Sequence, residues 1–116
     1  MRVWPALLAL TLSACLTPVG MTEVAELAGP WRGRIAGPRG NAAAQMTVDE
    51  AGRYTGTMFL DAGDRPFHGK LTVVRPGEVR YQGTDGSGAA RLYRQDGRAT
   101  LRFRGDDGVL DGVFTR

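Results

Sequence analysis

The chain has 116 residues, enough for one domain around one hydrophobic core and too few for two. With 42% apolar and 23% charged residues, 17 Gly and 6 Pro, its composition is that of a folded, turn-rich protein rather than a fibrous or disordered one. A formal net charge of +3 is mild, and one Cys, one His and two Ser leave few routes to a metal cage or a nucleophilic triad.

The amino terminus reads as an export signal. Arg2 supplies a positive charge, residues 3–12 form an apolar run, and small Ser13 and Ala14 precede Cys15. At 1.5 Å per residue that run covers about half of a roughly 30 Å hydrocarbon core, so it does not span a bilayer. Leu12-Ser13-Ala14-Cys15 resembles the lipobox of bacterial lipoproteins at all four positions. The resemblance implies removal of residues 1–14 as a signal peptide, a diacylglyceryl thioether on Cys15 and an acyl chain (palmitate or similar) on its new amino group. Two or three acyl chains at about 0.8 kcal/mol per buried CH₂ make membrane attachment effectively permanent. The only Cys is then consumed by lipid, so the domain has no disulfide and is stabilised by packing. Leu16 stands where an Asp would hold an enteric lipoprotein at the inner membrane, which implies the periplasmic face of the outer membrane.

Residues 15–30 read as a lipidated tether followed by a short helix. Thr22 is placed to cap the segment EVAELA, Met21, Val24 and Leu27 share one face, and Gly29-Pro30 ends it. From Trp31 the hydrophobic period changes to two. Eight strands are predicted, over residues 31–36, 43–49, 53–60, 67–74, 78–84, 89–94, 99–104 and 109–115. Turn chemistry separates them at Glu50-Ala51-Gly52, Ala62-Gly63-Asp64, Pro76-Gly77, Asp85-Gly86-Ser87-Gly88, Asp96-Gly97 and Asp106-Asp107-Gly108. These connections are too short for parallel crossovers, which predicts an all-β antiparallel up-and-down meander. Closing it into a small barrel over residues 31–116 removes the exposed edges.

The alternation turns Trp31, Met46, Tyr54, Phe67, Tyr81, Phe103 and Phe114 inward and predicts an interior mostly filled by side chains. The sixth strand is ambiguous, with Ala90 and Leu92 on one face and Arg91 and Tyr93 on the other. An aromatic-x-Gly motif recurs at Trp31, Tyr54, Phe67 and Tyr81, where a Gly two residues on lets a sheet curl and leaves room for a neighbouring ring.

Gly29-Pro30-Trp31, following a short helical turn, resembles the Gly-x-Trp start of lipocalin-like (calycin) barrels. That resemblance implies a basic residue packed over Trp31 near the last strand, a position Arg116 matches. Residues 26–31 (ELAGPW) resemble the amino-terminal segment of bacterial metalloprotease inhibitors, and residues 86–93 (GSGAARLY) resemble a stretch of membrane-bound C-type lysozyme inhibitors, both without those families' cysteines.

For catalysis, Ser87 lies in a Gly-rich turn, His68 reads as an outward strand residue beside Lys70, and Asp106, Asp107 and Asp111 read as hairpin chemistry. No enzyme, metal site or cofactor is expected. Arg32 and Arg34 on the first strand and Arg102 and Arg104 on the seventh point outward; closure would put the eighth strand between them, giving an anion-binding band flanking Asp111. Lipopolysaccharide phosphates, anionic lipid headgroups and cell-wall carboxylates fit such a band, whereas nucleic acid is excluded by compartment. The expectation is a lipid-anchored envelope barrel with a binding or accessory role toward another envelope component, probing as alternatives an inhibitor of a protease or lysozyme and a small-ligand carrier of lipocalin type.

Overall fold

The computed structural model describes residues 17–116 apart from Arg39. The segment predicted to be an export signal, the lipobox-like residues and Cys15 lie outside the described residues.

The described residues form nine strands and one 3₁₀ turn: β1 (Thr17–Pro18), the turn Val24–Leu27, β2 (Gly29–Gly37), β3 (Gly40–Val48), β4 (Arg53–Leu60), β5 (Gly63–Arg75), β6 (Glu78–Gly83), β7 (Gly86–Gln95), β8 (Arg98–Gly105) and β9 (Asp111–Thr115). Each strand from β2 to β9 pairs antiparallel with the next, and β9 also pairs with β2, closing an eight-stranded barrel. The predicted antiparallel meander and its closure are both found.

Several boundaries differ from those predicted, because the hairpins are tighter than the turn residues suggest. Gly37 lies opposite Gly40, Leu60 opposite Gly63, and Gly83 opposite Gly86, so two residues suffice for each turn. Gly63 and Gly86 begin strands rather than occupy turn centres, with φ of 129° and 115°. Asp49 leaves the second predicted strand: its carboxylate accepts the backbone N–H groups of Ala51 and Arg53 and shapes the turn. The last strand starts at Asp111 rather than Val109, since the Asp107 carboxylate accepts the Val109 N–H and holds that segment as a loop.

The core is an aromatic cluster within the barrel. Phe103 packs edge-on against Tyr81 at 5.2 Å and Phe114 at 5.7 Å, and Tyr54 lies 6.1 Å from Phe67. The aromatic-x-Gly repeat has its predicted steric role: a Cβ at Gly56 would meet the Phe67 ring, and one at Gly69 would meet Tyr54. The sixth predicted strand resolves with Ala90 and Leu92 buried, Arg91 exposed and Tyr93 half-buried.

One end of the barrel is closed by the segment before β2. Met21 and Leu27 are buried there, Val24 packs against them, and the Trp31 indole N–H donates to the Leu27 carbonyl at 2.8 Å. Thr22 does not cap a helix. The local structure is a single 3₁₀ turn with Glu23 at its N-cap and no side-chain cap bond, because burial of Met21 and Leu27 leaves room for one turn only. β1 was not foreseen. β7 continues beyond the start of β6, and β1 takes the vacant side, with Thr17 opposite Arg94 and Pro18 opposite Tyr93. The Val19 N–H to Leu92 carbonyl bond and the Gly77 N–H to Met21 carbonyl bond continue the attachment.

Candidate functional site

The other end of the barrel is open. The connections after β2, β4, β6 and β8 surround a funnel of about 370 Å³ whose walls include Ile35, Met58, Leu60 and Leu110, with Gly37, Gly40 and Gly86 keeping it wide. Arg65 and Asp85 form an ion pair of 2.7 Å on its rim. Beneath the funnel the aromatic rings leave a void of only about 30 Å³. Enclosed small-molecule sites run to about 300–1,000 Å³, so the funnel, not the interior, is where a ligand group has room. The filled interior agrees with the bulk of the inward residues.

Tyr81 lines that inner void, and its hydroxyl is buried with no hydrogen-bond partner among the described residues. Burial pushes its pKa up to about 12, with the nearby Asp106 and Asp107 charges adding to the shift. Tyr54 is raised above its ordinary value by burial as well.

The predicted arginine band forms on the outer wall, where β9 lies between β2 and β8. Val113 stands directly between Arg34 and Arg102, and Asp111 between Ala36 and Arg104. Arg102 donates to both Asp111 carboxylate oxygens, at 3.4 and 3.1 Å, which raises its own pKa. Of the four predicted residues Arg102 is thus compensated by a carboxylate, while Arg32, Arg34 and Arg104 have no ion-pair partner among the described residues. Sequence reasoning missed Arg91, which lies opposite Arg102 in β7 and joins Arg102, Arg104 and Tyr93 around a depression of about 150 Å³. The burial of Ala90 and Leu92 is the signal for its outward direction; it was hidden by the competing Tyr93.

The remaining polar candidates do not converge. The Ser87 hydroxyl donates to Asp106 at 3.4 Å, and Arg80 grips the same carboxylate with two N–H groups. That pairing holds the Asp106 carboxyl below its ordinary value. Asp107 caps a loop, Asp111 holds Arg102, and His68 is exposed on the outer face of β5. Among the described residues no cluster of His, Cys, Asp or Glu is arranged to hold a metal.

The predicted pair of Trp31 and Arg116 is formed, with the guanidinium over the indole at 4.3 Å. The segment resembling metalloprotease inhibitors is built into the closed end, with Leu27 and Trp31 buried and the Glu26 and Ala28 carbonyls accepting from Arg116. The segment resembling lysozyme inhibitors forms the first part of β7 within the wall.

No protein-family model and no curated protein matches this chain. The small antiparallel barrel with its Trp31 and Arg116 closure is compatible with a calycin-like domain.

Proposed function

We propose that the protein is a lipid-anchored β-barrel lipoprotein of the bacterial envelope, held on the periplasmic face of the outer membrane through Cys15, that recognises another envelope component, a protein, at the open end of its barrel. The supporting observation is the apolar funnel of about 370 Å³ at the open end, which seats a protruding apolar side chain, above an interior whose void of about 30 Å³ holds no carried ligand. The connections that surround it spring from paired strands of the barrel, a scaffold suited to presenting a recognition surface. An inhibitor role through the amino-terminal segment is disfavoured by the use of that segment in the closed end.

The test is affinity capture from solubilised envelope with the full-length lipoprotein and with its Leu60→Glu variant, at low and high salt, with mass measurement of Cys15 lipidation. A discrete protein retained at high salt and lost from the variant supports the reading. Equal capture by the variant refutes recognition at the open end, and capture of anionic glycolipid alone, lost as salt rises, replaces it with electrostatic surface binding. An unmodified Cys15 overturns the anchor.

A further inference from the structure

The outer wall of the barrel is electrically lopsided. Outward positions on β7, β8, β9 and β2 carry Arg91, Arg98, Arg102, Arg104, Arg32 and Arg34 against one carboxylate on these strands, Asp111, while Glu78 of the neighbouring β6, which borders the depression around Arg91, is paired with Arg75. Four ion pairs occur among the described residues, and three of them occupy Arg65, Arg75 and Arg80, all on β5 or β6. On the arginine face only Arg102 is paired, which leaves five guanidinium groups uncompensated. Val113, 39% exposed, sits at the centre of this face between Arg34 and Arg102.

The position of the tether adds a constraint that charge alone lacks. β1 is hydrogen-bonded to β7, one of the four strands of this face, and Thr17 lies opposite Arg94 near the hairpin tip. Cys15 precedes Thr17 by two residues, so even a fully extended chain keeps its Cα within roughly 7 Å of Thr17. An anchor this short holds the tip of the β7–β8 hairpin close to the headgroups, where basic side chains are attracted to anionic lipid. The tether brings one end of the wall to the surface, and the charge asymmetry selects which side lies down on it.

We infer that the β7–β8–β9–β2 face is a membrane-docking surface for anionic phospholipid headgroups, so that the anchored barrel lies on its side. This inference rests on the lipid anchor at Cys15 proposed above. In that orientation the funnel opens parallel to the bilayer and stays accessible to a neighbouring protein in the same membrane.

The experiment uses the full lipoprotein reconstituted into phosphatidylcholine vesicles with or without about one third phosphatidylglycerol. A fluorophore is attached at Ala89→Cys on the arginine face or at Thr72→Cys on the opposite wall, and the quencher resides in the headgroups. In the anionic vesicles the Ala89 label should be quenched about threefold more than the Thr72 label, and the difference should collapse in neutral vesicles or at about 0.5 M salt. The triple variant Arg34→Gln, Arg91→Gln, Arg104→Gln should abolish it, while Arg53→Gln with Lys70→Gln should leave it intact. Equal quenching of both labels in protein that still floats with neutral vesicles at high salt overturns the docking alone. Failure to float at all removes the anchor and the docking together.

Discussion

The guanidinium of Arg116 stacks 4.3 Å above the Trp31 ring while it donates to the backbone carbonyls of Glu26 and Ala28. One side chain therefore joins the end of β9, the start of β2 and the 3₁₀ turn that shuts the barrel. Burial lowers its pKa, with repulsion from Arg94 adding, yet the carbonyl oxygens and the indole face offer the charge what water would otherwise supply. Arg116→Ala should cost about 2 kcal/mol in urea unfolding, and Arg116→Lys should recover less than half of that, because an ammonium keeps the charge but not the planar fork.

The seam where the barrel closes leaves no space for side chains at one point. Gly33 lies opposite Phe114, and a Cβ there would collide with the Val113 carbonyl. Gly33→Ala should destabilise by about 3 kcal/mol, the upper range for overpacking. Gly37 ends the same strand with open space around it, so Gly37→Ala should stay within about 0.5 kcal/mol of the parent in the same measurement.

Replacing Tyr81 by Phe should cost nothing or stabilise by up to about 1 kcal/mol, since it removes a buried hydroxyl that has no partner among the described residues. The same residue sets an alkaline limit. Its phenol titrates at an ordinary value of 10.0 when unfolded and at about 12 when folded, so between those values the unfolded chain loses its proton first. Stability should fall as pH rises through this window, by at most about 1.4 kcal/mol per pH unit from this group. Tyr81→Phe should reduce that slope in urea titrations run across the range, and Tyr54, also raised by burial, should supply what remains.

At the acid end the sign reverses. Arg80 depresses the folded-state pKa of Asp106, so their contribution is fully present above the unfolded carboxyl value of 3.8 and is lost as pH falls through the lower folded value. Asp106→Asn should therefore remove part of the acid dependence of the melting temperature, and, because the Asp106 charge also raises Tyr81, it should narrow the alkaline window as well.

The barrel was legible because alternation is its folding code. Trp31, Met46, Tyr54 and Phe103 all fall on the buried face that period two assigns them. The glycine two residues after each aromatic announced the curl that the ring contacts now explain. The pairing of Arg116 with Trp31 was legible only through family resemblance, since the two residues are far apart in sequence. β1 was not legible: Thr17 and Pro18 have no alternating pattern, and their pairing depends on β7 outrunning β6, a matter of relative strand length. Arg91 was obscured because Tyr93 shares its face, and aromatic side chains otherwise mark the inside of this protein. The funnel was equally hidden, because it depends on how closely four hairpins approach one another.

Closure of the barrel also dictates the order in which it can assemble. Most strand pairs are hairpin neighbours, joined through short turns that form with little loop entropy. The seam between β2 and β9 is different: the Arg116 guanidinium and the Leu27 carbonyl it reaches are 89 positions apart. Nothing local rewards that meeting, so the joining of β9 to β2 is expected after the hairpins, and Arg116→Ala should speed unfolding more than it slows folding in stopped-flow measurements. Such non-local pairing belongs to the millisecond-to-second regime of folding. For as long as closure takes, β2 and β9 remain free to pair with another chain, and a second copy of the protein offers the same two edges.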